Sequence, residues 1–254
     1  MEEKEKINIV YKNIGETPLE CISRMRTQGN IPYHAKATYA GRLDPMAEGV
    51  LVILVGDAVH EKEMYLRLDK EYIVEILFGI STDTGDVLGK INATAISDSY
   101  PLERLEDMLE QCQGVHTEEY PAYSSKTIDG KPSFSFAQLG ALFARPTHTV
   151  TIHSITLENT RVISMKDIVE NVLSKIATVK GDFRQKEISA LWNDCADDHL
   201  DEKFYIATIR VTCGSGAYMR VLAEKIGRLL GSPALAYSIV RTRVGNFSIC
   251  KNTY

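Results

Sequence analysis

Residues Tyr39 to Gly56 read YAGRLDPMAEGVLVILVG, a polar turn punctuated by glycines that opens directly into a continuous apolar run. The run from Gly49 to Gly56 shows no polar alternation and is bounded by glycines, as expected of a strand buried on both faces. Ahead of it, Asp44 stands between Leu43 and Pro45. Proline confines the preceding residue to extended backbone, and the neighbouring glycines allow another molecule to approach closely. Such a turn can present a carboxylate into a cleft. Asp before Pro also initiates ordinary turns, and the dipeptide alone does not choose between the two.

Outward from this turn, residues 7–12 (INIVYK) predict a short strand. Thr17-Pro18-Leu19-Glu20 supplies an N-cap, a first-turn proline and a capping-box acid, so a helix is expected to start there and end near Gly29. Lys70 to Gly79 (KEYIVEILFG) is rich in β-branched and aromatic residues, and STDTGDVLGK after it has turn composition. Residues 101–112 predict an amphipathic helix with Leu102, Leu105, Met108 and Leu109 on one side. Residues 120–146 lack periodicity and are expected to form a long loop. A strand over 149–157, a helix over 165–177, an irregular acid-rich stretch from Lys180 to Glu202, a strand over 204–213 and a helix over 217–230 stopped by Gly231 complete the reading. This order of elements predicts an α+β fold with a mixed sheet.

At 254 residues the chain can bury a substantial core in one large or two small domains. No apolar run is long enough to span a bilayer, and the acidic start MEEKEKINIV does not read as a secretory signal. A cytoplasmic address, without a membrane partner, is therefore expected. The five cysteines, Cys21, Cys112, Cys195, Cys213 and Cys250, are odd in number and widely spaced, matching neither a disulfide framework nor paired metal ligands. The six histidines form no metal or triad pattern, so no metal site is expected. Net charge is −5, but residues 203–254 carry eight Lys or Arg against Glu224 alone, which leaves −12 for the rest. That asymmetry fits either a face for a polyanion or a basic helix on a solvated surface.

The whole string GRLDPMAEGVLVILVGDA resembles the signature of the TruB family of pseudouridine synthases, roughly G-x-LDP-x-A-x-G-V-L. Three further segments resemble the same family in the same order. Lys70 to Asp86 resembles its K-x-Y strand and T-D-T-x-D turn. Tyr120 to Gly140, YPAYSSKTIDGKPSFSFAQLG, resembles its P-x-Y-S-A-x-K loop, which runs on through Arg145-Pro146. Residues 213–247 resemble its C-S-x-G-T-Y-I-R helix start and closing R-T-x-V-G-x-F segment. The resemblance covers residues 7–158 and 204–249 and leaves the middle stretch unplaced.

The resemblance implies a pseudouridine synthase catalytic fold, with a largely antiparallel mixed sheet flanked by helices and an RNA-binding loop. It implies isomerisation of uridine to pseudouridine without a cofactor. Asp44 takes the role of the aspartate that attacks the uridine, a chemistry carboxylates perform at sugar carbons. Arg220 is implied as the guanidinium paired with it, and Tyr72 as the tyrosine that stacks on the flipped base and helps remove the C5 proton. Tyr218 is implied as a wall of the base pocket. Lys126, Lys131 and Arg145 fall on the RNA-gripping loop, and Arg241 and Arg243 belong to the basic C-terminal cluster expected to contact phosphates. Read without the family, Arg220 is a surface helix residue, Tyr72 a core-facing strand tyrosine, and each basic side chain a solvated one.

Tyr39 and Ala40 stand where the family has His followed by Thr or Ser. Tyr39 can still stack on a base, and is expected in the base pocket, but it supplies no imidazole. Tyr254 follows the closing segment so soon that the family's C-terminal RNA-binding PUA domain is not expected. Residues 1–254 are thus expected to form a single catalytic domain, with 120–146 as RNA-binding loop and 159–203 as a peripheral elaboration. The expected partner is RNA, foremost the T-loop uridine at position 55 of tRNA, met by a monomeric enzyme. A guide-directed or ribosomal RNA synthase, and a catalytically weak RNA-binding chaperone of the same fold, are the alternatives.

Overall fold

The computed structural model of the chain describes residues 6–95, 97, 104–124, 127–128, 131–132 and 145–248. Nine strands form one sheet around the apolar run of the opening motif. In chain order they are β1 (Lys6–Lys12), β2 (Ala37–Ala40), β3 (Ala47–Val55), β4 (Lys70–Phe78), β7 (Gly114–Glu119), β10 (Thr147–Ser164), β11 (Lys203–Cys213), β12 (Ala234–Val244) and β13 (Phe247–Ser248). The short pairs β5 (Ile80–Thr82) with β6 (Ile91–Thr94), and β8 (Thr127–Ile128) with β9 (Lys131–Pro132), are separate hairpins. The spatial order is β1-β3-β12-β4-β11-β10-β7, with β2 beside β3 and β13 beside β12. Every pairing in the sheet is antiparallel except β3 with β12, so the mixed, largely antiparallel α+β expectation holds.

β3 shows why its sequence lacks alternation. β1 pairs with its residues Gly49–Val55, and on its other edge it meets β12 at Ala47–Gly49 and β2 at Val52–Val55. Leu51, Ile53 and Val55 pack with Cys21, Ile22 and Met25 of helix α1 (Pro18–Thr27), while Val50, Val52 and Leu54 pack on the opposite face with Tyr65 and Val244. Both faces are thus dry, and all nine residues are buried. α1 begins as expected: Thr17 Oγ1 accepts from the Glu20 amide at 3.2 Å, and the Glu20 carboxylate accepts from the Thr17 amide at 2.8 Å.

The remaining helices are α2 (Lys62–Leu66), α3 (Leu105–Glu110), α4 (Met165–Thr178), α5 (Gln185–Asp198) and α6 (Met219–Leu230). α3 and α6 cover one sheet face, where Leu222, Ala223 and Ile226 meet Tyr72, Val74, Ile76 and Phe78 of β4. Each large apolar side chain buried there contributes about 1.5–3 kcal/mol. α4 and α5 cover the other face through Ile168, Val172, Ile176, Ile188 and the fully buried Trp192, against Leu77, Ile206 and Leu235.

Two expectations need correction. The stretch from Lys180 to Glu202 is not irregular, because α5 occupies most of it; Glu187, Asp194, Asp197 and Asp198 decorate the solvated side of an amphipathic helix. β10 runs on to Ser164, well beyond Leu157, since β11 pairs with it from Ile152 to Ser164 and two register shifts interrupt the alternation. Residues 101–103 of the helix predicted over 101–112 lie outside the described residues, and α3 proper starts at Leu105. Among the described residues no helix is long and apolar enough to cross a membrane.

Candidate active site

A cavity of about 540 Å³ opens where the motif turn, the Thr82–Leu88 turn and the start of α6 meet. Asp44 lines it, at the last turn before β3. Its side chain is 32 % exposed, and its Oδ2 accepts from Arg220 Nε at 2.9 Å. Arg220 itself is 3 % exposed. All three of its nitrogens are engaged, since Nη1 donates to the Thr84 carbonyl at 2.6 Å and Nη2 to the Tyr123 carbonyl at 3.0 Å. A rigid guanidinium bonded at three points fixes the direction from which it meets the carboxylate. The structure therefore brings together two side chains that stand 176 positions apart in sequence.

Asp86, which sequence reasoning passed over as part of a turn, is a second carboxylate on the same arginine, 3.9 Å from Arg220 Nε. It accepts from the Thr84 hydroxyl at 2.8 Å and the Leu88 amide at 2.9 Å. Burial pushes its carboxyl above the ordinary pKa, with the Arg220 charge opposing and the Asp44 charge reinforcing. Burial also works against the charge of Arg220, but attraction to Asp44 and Asp86 outweighs it and its pKa lies above the usual arginine value.

Behind the turn lie two more buried cations. Lys12 donates to the carbonyls of Ala47 at 2.6 Å and Asn13 at 2.9 Å, and burial brings its pKa down to about 8. Arg241 is 1 % exposed and donates to the carbonyls of Val50 at 2.7 Å and Gly41 at 3.0 Å. At Gly49, where φ is +114°, a Cβ would sit 2.2 Å from the Arg241 carbonyl oxygen. Only glycine lets β3 and β12 approach so closely at the foot of the motif.

Tyr72 and Lys70 point from β4 into the same cavity. Burial raises the Tyr72 phenol, with the Arg241 charge opposing. Burial, and secondly the Arg241 charge, bring Lys70 down to about 8. Tyr218, just before α6, also lines the cavity and meets Tyr120 and His148 edge-on with ring centroids 6.1 and 6.0 Å apart. The last two stack on each other at 4.0 Å. Asp44, Arg220, Tyr72 and Tyr218 are thus gathered around one cavity.

Arg241, expected on an RNA surface, lines the same cavity but is buried and braces the motif turn. Other expected residues fall elsewhere. Arg243 pairs with Glu71 at 3.6 Å and donates to the Gly245 carbonyl. Glu71 lies one residue from both Lys70 and Tyr72, so this pair occupies the sheet face away from the cavity. Arg210 joins it with bonds to Glu71 and Glu158. Among the described residues the basic C-terminal segment is therefore not one free cationic face: acids from earlier in the chain pair with its Arg210, Arg220 and Arg243. Tyr39 is not among the residues lining the cavity. Its hydroxyl accepts from Arg42 Nη2 at 2.9 Å, and its ring lies under Lys62 Nζ at 5.3 Å. Arg42, its partner, does line the cavity. Arg145 is exposed and ion-paired with Glu119. Lys126 lies outside the described residues, and of Lys131 only the backbone, in β9, is described.

A family model for "TruB family pseudouridylate synthase (N terminal domain)" matches residues 30–181, which include the motif turn and the Thr82–Leu88 turn. A tRNA pseudouridine synthase B of Aromatoleum aromaticum is 33 % identical over 219 residues, 85 % of this chain and 56 % of that protein. One of Listeria welshimeri is 30 % identical over 94 % of this chain and 66 % of its own length, and one of Bordetella avium 32 % over 85 % and 72 %. The chain thus spans only a little over half of the Aromatoleum protein. Among solved structures, a crystal structure of a Cbf5-Nop10-Gar1 complex superposes with a TM-score of 0.59 at 18 % identity, over 96 % of this chain and 50 % of the other, a likeness of fold. A family match over more than half its residues, and relatives at 30–33 % identity aligned along most of its length, place the chain in the TruB family of pseudouridylate synthases.

Proposed function

We propose that this chain isomerises uridine to pseudouridine in structured RNA, with the T-loop uridine at position 55 of tRNA as its target. The observation that carries the reading is the Asp44 carboxylate, bonded to a buried and fully engaged Arg220 and partly open to a cavity large enough for a nucleotide. The names of the relatives, tRNA pseudouridine synthase B, support tRNA as the substrate.

Asp44 is the reacting carboxylate. The reaction exchanges one bond for another: N1–C1′ of the nucleoside breaks, C5–C1′ forms, and the C5 proton leaves while N1 gains one, so no redox partner is required. A carboxylate can add covalently or stabilise cationic character at the sugar during this exchange. Arg220 holds Asp44 at a fixed angle. Tyr72 stacks on the uracil and takes part in removing the C5 proton; because burial keeps its phenol protonated, it acts as a relay, releasing its own proton as it accepts one. Tyr218 closes the pocket behind the base. A base must leave its stack to enter this cavity, at about a few kcal/mol, which is least costly in a loop.

Release of tritium from transcripts carrying C5-labelled uridine tests the reading. A tRNA transcript should release label at its T-loop, with pseudouridine at that position. Release only from ribosomal or guide-bearing RNA would replace tRNA as substrate, and release from none would refute the activity.

A further inference from the structure

The connection between α4 and α5 reaches the cavity: Asp182, Phe183 and Arg184 line it. These residues lie just beyond the segment matched by the family model. Among the described residues Arg184 is the one non-glycine side chain with positive φ, at +63°, a conformation that persists where the surroundings enforce it. Its guanidinium bonds both oxygens of Asp83, at 2.6 and 3.2 Å, and lies over the Tyr123 ring at 4.7 Å. The Tyr123 hydroxyl donates to the same Asp83 at 3.1 Å. α5 grips the same turn twice more, through Trp192 Nε1 to the Val87 carbonyl at 3.2 Å and the Lys90–Glu187 ion pair at 2.6 Å.

The two segments joined by Arg184 are those that hold Arg220. Thr84, next to Asp83, gives its carbonyl to Arg220 Nη1, and Tyr123 gives its own to Nη2. Arg184 thus ties the turn at 83–88 to the segment at 121–124, directly behind the arginine that meets Asp44.

We propose that Arg184, carried by the connection between α4 and α5, is a positioning residue that fixes Arg220 against Asp44 by clamping Asp83 to Tyr123. The inference rests on the activity proposed above, with Asp44 as the reacting group. Arg184→Gly is the appropriate variant, because glycine adopts the positive φ freely and the fold should survive. Trp192, the single tryptophan of the chain, reports through its fluorescence whether α5 remains docked.

With that signal unchanged, single-turnover rate on tRNA should fall by about tenfold or more, while RNA affinity stays within about threefold of wild type. Amide exchange over 83–88 and 121–124 should quicken. Arg184→Lys should not restore the rate, since an ammonium cannot bond both carboxylate oxygens and lie over the ring. Asp83→Asn should be as slow as Arg184→Gly, and the double variant no slower than either. Three results would overturn the proposal: a rate within about twofold of wild type, full rescue by lysine, or a loss confined to affinity with a shallower salt dependence, which marks a phosphate contact. Should wild type be inactive on every RNA, the proposed function fails by itself, and the exchange comparison still decides whether Arg184 orders the two segments.

Discussion

Arg220 illustrates how much chemistry depends on one side chain's geometry. It bonds a carboxylate and two carbonyls from separate segments, a pattern a planar fork can satisfy and a point charge cannot. Arg220→Lys should therefore lower turnover by about a hundredfold while changing RNA affinity by less than about threefold, as measured by single-turnover kinetics and filter binding. Lys70 gives a test in pH. Its folded pKa is depressed to about 8 from 10.5, so between those values the folded state holds fewer protons than the unfolded one. Unfolding free energy from this group rises with pH through that window and is flat below it. Against Lys70→Met, wild type should thus gain up to about 3 kcal/mol between pH 8 and 10.5, read from denaturant melts. A difference that stays constant across the window would mean that Lys70 is not held in a desolvated site.

At the level of elements, the contact of β3 with β12 carries the motif turn. Gly49→Ala would drive a methyl into the Arg241 backbone and should cost about 3 kcal/mol or more, whereas Gly29→Ala, with open space and only its positive φ against it, should cost about 1. Thermal melts of the two variants check the contrast. β3 and α1 were legible in sequence because a strand dry on both faces must be apolar throughout and because the Thr17–Glu20 box is local. α5 was not: it starts at a positive-φ arginine without a side-chain cap, and acids on its outer face dilute the apolar spacing of Ile188, Trp192 and Cys195. The pairing of Asp44 with Arg220 could not come from local pattern at all, since nothing near either residue points to the other; only the family resemblance joined them. Asp86 lay hidden because its turn composition is explained without chemistry, and Arg241 because an arginine is seldom buried.

For the whole molecule, folding withdraws part of the C-terminal basic cluster from the surface or pairs it with acids. Arg220 and Arg241 are enclosed, and Arg210 and Arg243 are paired with acids from distant segments. Arg42 is exposed and lines the cavity, so under the proposed function it is a candidate to meet the RNA there. Arg42→Ala should reduce the slope of log affinity against log salt by about one, while Arg243→Ala should leave it unchanged. Equal reductions in both would return Arg243 to the RNA surface that the sequence suggested.

Asp44 is the centre of the account, and its isosteric replacement tests it most directly. Asp44→Asn keeps the shape of the turn and the Oδ of the side chain but removes the charge and nucleophilicity of a carboxylate. The measurement is tritium release from C5-labelled tRNA in single turnover, with RNA binding and thermal stability followed on the same preparation. Unchanged folding and binding with release reduced by about a thousandfold or more is the predicted result. Release within about tenfold of wild type would contradict the assignment of Asp44 as the reacting group.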